Sequence, residues 1–176
     1  MKKLLLILLC LPMIGFGQNV NIPDANFKAY LVGNTSINTN GDTEIQVSEA
    51  SSFNGAINCD SMNISDLTGI EAFTALTYLF CRYNQLDSLD VSQNTALTVL
   101  KCNHNQLTSL DVSGATALTN LECSGNQLTS LDVSQDTALI YLWCGWNQIT
   151  SLDVSTNTYL YGLFCQNNQL TSLDVS

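Results

Sequence analysis

Six of the seven cysteines are regularly spaced, and a thiol can form a disulfide, bind a metal or act as a nucleophile. Five of them recur at a fixed step of 21 residues. A zinc site is not expected, because the sequence has no C-x-x-C pair and only one histidine, His104. Disulfides are disfavoured. If the 21-residue units stack in parallel, the Cα–Cβ bonds of cysteines in neighbouring units point the same way, which suits disulfide geometry poorly. The sequence predicts free, buried thiols at Cys59, Cys81, Cys102, Cys123, Cys144 and Cys165.

A second candidate site is a run of oxygen-bearing side chains between residues 38 and 49. The run is similar to the EF-hand calcium loop, whose ligands occupy positions 1, 3, 5, 7 and 12. It departs from that loop at Asn38, where an Asp is usual, and at Thr43, which replaces the turn Gly. The alternative is a metal-free loop with a hairpin around Asn40-Gly41. We expect at most weak calcium binding, through Asn38, Asn40, Asp42, the Glu44 carbonyl and Glu49.

The elements that position these residues follow from an internal repeat of 21 residues. Apolar and polar residues alternate from Leu121 to Ser124, which is the period of a strand. One such strand cannot bury its apolar face alone, but coils stacked about 4.8 Å apart form a parallel sheet over a shared core. An asparagine recurs in five coils, and its amide can satisfy backbone groups where each coil bends. These residues are Asn84, Asn105, Asn126, Asn147 and Asn168.

The repeat L-x-C-x-x-N-x-L-x-x-L-D-V-S-x-x-x-x-L, over residues 79–176, resembles bacterial leucine-rich repeats of the 21-residue IRREKO class. The preceding coil contains S-D-L-T-G-I and is more similar to the internalin type. The resemblance implies a right-handed, β-rich leucine-rich-repeat solenoid with a parallel sheet of L-x-C strands. It also implies an extended or 3₁₀ return wall and a small helical N-terminal cap. Similar proteins are secreted or attached to the cell surface.

Three segments are expected along the chain. Residues 1–17 are typical of a signal peptide, with Lys2-Lys3, an apolar run and a small-residue cleavage site; a membrane anchor is disfavoured because the run is short. Residues 18–56 form the N-terminal cap, in which Asp24 begins a short amphipathic helix that covers the first coil. Residues 57–176 form six coils, which begin at residues 57, 79, 100, 121, 142 and 163 and are called coils 1 to 6.

The last coil is incomplete. Its apolar residues would face solvent, so we expect the sequence to be a fragment of a longer protein. Similar proteins continue into more repeats and a C-terminal sorting domain.

The charge balance excludes some partners. The net charge is −10, and removal of Lys2 and Lys3 would take it to −12. Such a surface repels nucleic-acid phosphates and anionic lipids. The mature chain has no further stretch that could span a membrane.

An aspartate recurs on the return wall, where it points outward. Two carboxylates about 4.8 Å apart in water repel by roughly 0.9 kcal/mol. Hydrogen bonds from turn amides and from flanking serines, such as Ser109 and Ser113, would offset this repulsion. A row of bound cations or a basic partner is the alternative. The column is Asp90, Asp111, Asp132, Asp153 and Asp174.

Specificity must come from the variable positions, because framework residues are the same in every coil. Most aromatic residues of the repeats lie on the outward face of the L-x-C strands or at the turn position that follows. Aromatic residues favour strands, but the exposed pair Trp143 and Trp146 is typical of binding anchors. The predicted ligand-binding residues are Phe80, Arg82, Tyr83, Lys101, Glu122, Tyr141, Trp143, Trp146 and Phe164.

The sequence predicts a non-catalytic recognition module that binds protein or glycan, since no nucleophile recurs beside His104 and the regular acids are framework. We expect no required cofactor and at most weak calcium binding at the loop. The alternative is a structural or surface-coat repeat protein without a specific ligand.

Overall fold

The computed structural model describes residues 17–175. The predicted signal peptide, apart from Gly17, lies outside the described residues. In chain order the elements are α1 (Ala25–Gly33), α2 (Val47–Ser52), β1 (Ala56–Asn58), a 3₁₀ helix (Ile70–Ala72), β2 (Tyr78–Phe80), β3 (Ser88–Asp90), β4 (Val99–Lys101), β5 (Ser109–Asp111), β6 (Asn120–Glu122), β7 (Tyr141–Trp143), β8 (Ser151–Asp153), β9 (Gly162–Phe164) and β10 (Ser172–Asp174).

One long wall of the molecule is a six-stranded parallel sheet in the order β1-β2-β4-β6-β7-β9. Each L-x-C leucine pairs with the leucine one repeat away, as Leu100 does with Leu121 and Leu121 with Leu142. These three leucines are fully buried, and burying a leucine side chain contributes about 1.5–3 kcal/mol. The predicted parallel-strand solenoid of leucine-rich-repeat type is therefore confirmed.

The return wall is less regular than the sheet. Strand β3 pairs in parallel with β5, and β8 with β10. Between these two pairs, residues 130–132 of coil 4 are not part of a strand. The 3₁₀ helix belongs to coil 1. The wall is thus extended in most coils, and its hydrogen-bonded ladder is interrupted at coil 4.

The asparagine column connects neighbouring coils. The Asn126 amide nitrogen donates to the Cys102 carbonyl at 3.1 Å and to the Cys123 carbonyl at 2.9 Å, and its oxygen accepts from the Leu107 amide at 3.1 Å. Asn84, Asn105, Asn147 and Asn168 donate to the equivalent pairs of carbonyls. A buried backbone group left without a partner would cost about 1–3 kcal/mol. Since the asparagines pair these groups in five coils, the predicted structural role of the column is confirmed.

The N-terminal residues pack against coil 1. Asp24 begins α1 and accepts hydrogen bonds from the Asn26 and Phe27 amides, as predicted for a helix cap. Its second oxygen accepts from the Ser65 amide of coil 1 at 2.8 Å. Phe27 and Leu31 are fully buried in the same core as the repeat leucines. Helix α1 thereby covers apolar surface that coil 1 cannot bury against a preceding coil.

Candidate functional site

The outward face of the sheet carries a stacked group of aromatic rings, which we call the aromatic cluster: Tyr141, Trp143, Tyr161 and Phe164. The Trp143 ring lies 5.3 Å from the Phe164 ring and 5.2 Å from the Tyr141 ring, with interplanar angles of 7° and 17°. Tyr141 also meets Tyr161 edge-on at 5.9 Å. Trp143 is half-buried rather than exposed as predicted, because rings from its own strand and from the next strand cover it.

A second set of outward residues follows each strand in a left-handed turn. Tyr83, His104, Gly125, Trp146 and Asn167 all have φ between 52° and 68°. Gly and Asn adopt this conformation at little cost, whereas a bulky residue loses about 1 kcal/mol. Tyr83 and Trp146 are nevertheless well exposed, at 58% and 57%. We call this set the turn column.

A groove lies on coil 4, between the large turn-column side chains of coils 3 and 5. At Gly125 an added Cβ would lie 2.9 Å from the His104 ring. The His104 ring therefore packs against the Gly125 backbone. A cavity of 480 Å³ lies over coil 4, between His104 on coil 3 and the two tryptophans on coil 5. We call it the coil-4 groove; its lining residues are Asn103, His104, Glu122, Ser124, Trp143 and Trp146.

The charged residues on this face are paired. The Lys101 ammonium lies 2.8 Å from the Glu122 carboxylate and 5.9 Å from the centroid of the Phe80 ring. The Arg82 guanidinium donates to Asp60 of coil 1 at 2.7 and 2.9 Å. That pairing raises the pKa of Arg82, through the hydrogen bond to Asp60. The lining of the groove therefore consists of aromatic rings and polar side chains, and the lining residues include no lysine or arginine.

The nine predicted ligand-binding residues fall into two groups. Glu122, Trp143 and Trp146 line the coil-4 groove, and Tyr141 and Phe164 stack beside it. The other four, Phe80, Arg82, Tyr83 and Lys101, lie farther along the face on coils 2 and 3.

Sequence reasoning missed four residues of this region. Asn103, His104 and Ser124 line the groove, and Tyr161 completes the aromatic cluster. The signal for the groove was the small pair Ser124-Gly125 between two coils with rings at the turn position. Tyr161 could have been found from the repeat, because the equivalent position of the earlier coils is Thr or Ile.

The EF-hand-like loop satisfies its own carboxylates. Glu49 accepts hydrogen bonds from Thr39, Asn40 and Gln46, and Asp42 accepts from the Glu44 amide at 2.8 Å and from two side-chain amides. Burial opposes ionisation of Glu49, but these hydrogen bonds outweigh it and hold its pKa below the usual range.

The other two predicted ligand residues also have partners within the N-terminal segment. Asn38 accepts from the Gly41 amide. The side chain of Glu44, whose carbonyl is the predicted ligand, binds Lys28 at 2.7 Å. The hairpin around Asn40-Gly41 does not form, because residues 38–45 contain no strand and the next residue, Gln46, pairs with Asn19 in an isolated antiparallel bridge. Weak calcium binding at this loop stays a prediction.

The aspartate column is held by turn amides. The Ser92 amide donates to Asp90 at 2.8 Å, and Ser113, Ser134 and Ser155 donate to the next three aspartates at 2.9 Å. The bond from Ser134 lowers the pKa of Asp132. These bonds provide the local compensation that the sequence suggested.

The cysteine column consists of unpaired thiols, most of them in the core. All six cysteines of the described residues are free thiols, and Cys59 to Cys144 are buried. Burial raises the pKa of Cys59, Cys102 and Cys144 to about 12. Since the thiolate is the reactive form, these residues act as small core side chains.

Residues 17–175 contain no cluster of three or more His, Cys, Asp and Glu side chains placed to hold a metal ion. None of the helices in that range is long and apolar enough to cross a bilayer.

Several known proteins are similar to this chain. Internalin J of Listeria monocytogenes serotype 4b (strain F2365) is 49% identical over 39 residues, which are 22% of this chain and 4% of that protein. The structure described as the functional domain of InlJ from Listeria monocytogenes, which includes a cysteine ladder, has a TM-score of 0.79 at 42% identity. That match covers 90% of this chain and 36% of the InlJ chain.

A leucine-rich-repeat protein of Leptospira interrogans shares the fold, with a TM-score of 0.57 at 22% identity over 69% of this chain and 36% of that one. The chain thus spans about a third of each of these two structures. The family model described as the endo-beta-N-acetylglucosaminidase EndoS LRR domain matches residues 41–157. Because this match extends over more than half of the chain, the protein belongs to that leucine-rich-repeat family.

Proposed function

We propose that this protein is a non-catalytic recognition module, secreted or at the cell surface, that binds a protein or glycan through the coil-4 groove and the aromatic cluster. The internalin-type relatives support recognition as the general role. The sheet face supports it independently, because its aromatic residues are exposed or stacked on the surface rather than packed in the core.

The observation that carries the proposal is the strain in the turn column. Trp146 has φ of 52° and is 57% exposed, so its ring gains little from the core while its backbone costs about 1 kcal/mol. Gly125 and Asn167 show that low-cost residues fit the same turn. A strained, exposed tryptophan beside a groove is typical of a binding site.

A groove of 480 Å³ falls within the range of small-ligand sites. It is suited to one inserted unit, such as an aromatic side chain or a sugar ring, with Trp143 and Trp146 supplying the apolar wall. Glu122 and Asn103 supply hydrogen-bonding groups for a polar edge. An anchor of this kind often costs about 2 kcal/mol or more when it is truncated.

The sharpest variant is Trp146→Gly, because it removes the ring and relieves the left-handed backbone at the same position. We expect binding to be lost while the melting temperature stays equal or rises. Trp143→Ala with Trp146→Ala should also abolish binding, with a small loss of stability from the Trp143 stacking contacts. Asp132→Ala, on the return wall, is the matched control and should bind as the wild type does.

The ligand class is tested by screening the chain on a glycan array and against candidate surface proteins, with sedimentation velocity at several concentrations alongside. Glycan or protein binding that Trp146→Gly eliminates would support the proposal. Concentration-dependent self-association with no array signal would favour the structural repeat protein. Retained binding in Trp146→Gly would contradict the assignment of the groove.

A further inference from the structure

A second buried column, polar in three of four coils, runs through the return wall at the turn that follows L-D-V-S. Its members are Asn94 on coil 2, Ala115 on coil 3, Asp136 on coil 4 and Asn157 on coil 5. The Asn157 amide nitrogen donates to the carbonyls of Val133 and Asp136, both at 2.9 Å. Asn94 donates in the same way to the Ile70 and Phe73 carbonyls, at 2.9 and 3.0 Å. Each asparagine therefore ties its coil to the preceding one.

Asp136 occupies this position with the wrong hydrogen-bonding capacity. It is fully buried, and neither of its carboxylate oxygens has a hydrogen-bond partner in the described structure. The repeat register aligns it with the Val112 and Ala115 carbonyls, which lie 24 and 21 residues earlier, as the acceptors of Asn157 do. The side-chain oxygens of Asn94 and Asn157 also have no hydrogen-bond partner. This column therefore contains free acceptor atoms, and a residue in it is stabilised if its side chain can donate a hydrogen bond.

The charges around Asp136 make ionisation costly. Three further aspartates lie near Asp136: Asp132 on the same coil, Asp111 on coil 3 and Asp153 on coil 5. The return-wall segments of these coils (residues 107–120, 128–141 and 149–162) contain no Lys, Arg or His that could offset the negative charge. Burial, followed by the charges of Asp132 and Asp111, raises the pKa of Asp136 to about 7. A carboxyl that is neutral when buried can donate one hydrogen bond, whereas its ionised form can donate none.

The backbone around Asp136 is also less firmly connected than the rest of the wall. Residues 130–132 are the part of coil 4 that does not join the return-wall strands, between the β3–β5 pair and the β8–β10 pair. Coils 3 and 4 therefore depend more on side-chain contacts here than neighbouring coils do.

We propose that Asp136 is a proton-dependent contact between coils 3 and 4, which donates a hydrogen bond to the coil 3 carbonyls when protonated and repels them when ionised. Protonation is favoured in the folded state relative to the unfolded chain, whose aspartates titrate near pH 3.9. The folded chain thus binds more protons than the unfolded chain between about pH 4 and 7, so stability falls as pH rises through that window and the loss is complete above it. Coil 4 also carries Glu122 and Ser124 of the coil-4 groove, but the inference does not depend on ligand binding.

The test compares the wild-type chain with Asp136→Asn at pH 5 and pH 8, with unfolding followed by the fluorescence of the two tryptophans. We expect the wild-type melting temperature to be lower at pH 8 by about 5 °C or more. Asp136→Asn, which restores the donor of Asn94 and Asn157, should melt at a similar temperature at both pH values and above the wild type at pH 8.

Two further variants keep the outcome specific. Asn157→Asp should steepen the fall in stability with pH, because it creates a second acid in the same column. Asp132→Asn removes an exposed charge and should leave most of the wild-type fall in place. Parallel melts with 2 mM calcium and with EDTA separate a proton from a bound cation.

An equal pH dependence in wild type and Asp136→Asn would overturn the proposal. So would a wild-type stability at pH 8 that rises in calcium and falls in EDTA, since Asp136 would then be held ionised by a cation.

Discussion

At the scale of single residues, the six free thiols divide into a buried group and one accessible residue. Cys165 on coil 6 is half-buried, while the other five are buried and three of them have a pKa raised to about 12. We expect a thiol reagent at pH 8 to modify Cys165 first and the other five only after denaturation. Mass spectrometry of the labelled peptides gives the order, and Cys165→Ser should remove the fast phase. Fast labelling of all six native thiols would show that the inward column is misassigned.

The two tryptophans show how one residue type takes different roles. Trp143 stacks between rings of the aromatic cluster and is half-buried, whereas Trp146 stands on a left-handed turn and is 57% exposed. Truncating Trp143 therefore perturbs packing and binding together. Trp146 offers the cleaner separation of binding from stability.

At the scale of elements, the turn at Gly114 is the tightest contact between two coils that the glycines reveal. An added Cβ would lie 1.7 Å from the Ser92 carbonyl oxygen, and the backbone would have to shift to accept it. We expect Gly114→Ala to destabilise the protein by about 2 kcal/mol, measured by chemical denaturation.

Gly33→Ala is the matched control for Gly114→Ala. Gly33 ends α1 and has no atom within 4 Å of the added Cβ, so its change should stay within about 0.5 kcal/mol. Equal stability of the two alanine variants would mean that the turn relaxes freely.

The EF-hand-like loop before and within α2 is predicted to bind calcium weakly at most. Its carboxylates already accept hydrogen bonds from Thr39, Gln46 and Glu44, and a metal would have to replace some of these bonds. We expect the melting temperature to differ by less than about 2 °C between 1 mM calcium and EDTA.

Glu49→Gln is the control for the calcium test. It should lower the melting temperature equally in calcium and in EDTA, because it weakens the cap of α2. A larger calcium-dependent rise that Glu49→Gln abolishes would establish a metal site.

At the scale of the whole molecule, stability should pass through a maximum in mildly acidic solution. Burial raises the pKa of Asp24 and Glu49, but their hydrogen bonds outweigh it and leave both below the usual range. These groups stabilise the fold above about pH 4, and that contribution is lost as pH falls further. Asp136 acts in the opposite sense as pH rises toward 7.

Melting temperatures between pH 3 and pH 9 would check this expectation, with a maximum near pH 4–5. Glu49→Gln should reduce the loss on the acid side only, and Asp136→Asn the loss on the alkaline side only. A profile that rises steadily to pH 9 would contradict the assignment of Asp136, and one with no loss of stability below pH 4 would contradict that of Asp24 and Glu49.

The sequence by itself determined the framework of the solenoid. The inward leucines and cysteines, the asparagine column and the outward aspartates all follow from a pattern repeated with one register. In a solenoid each coil contacts only its neighbours, and the neighbours carry the same residues at these positions. One repeat therefore specifies the surroundings of the next.

The tertiary structure decided the properties of the positions that vary. A side chain there packs against residues about 21 positions away in each direction, so its burial depends on the size and chemistry of those residues. The small Ser124 lines the coil-4 groove between the larger His104 and Trp146 of the neighbouring coils. Neighbouring rings also explain why Trp143 is half-buried. The buried Asp136 carboxyl has no hydrogen-bond partner at a position where Asn94 and Asn157 donate to carbonyls of the preceding coil.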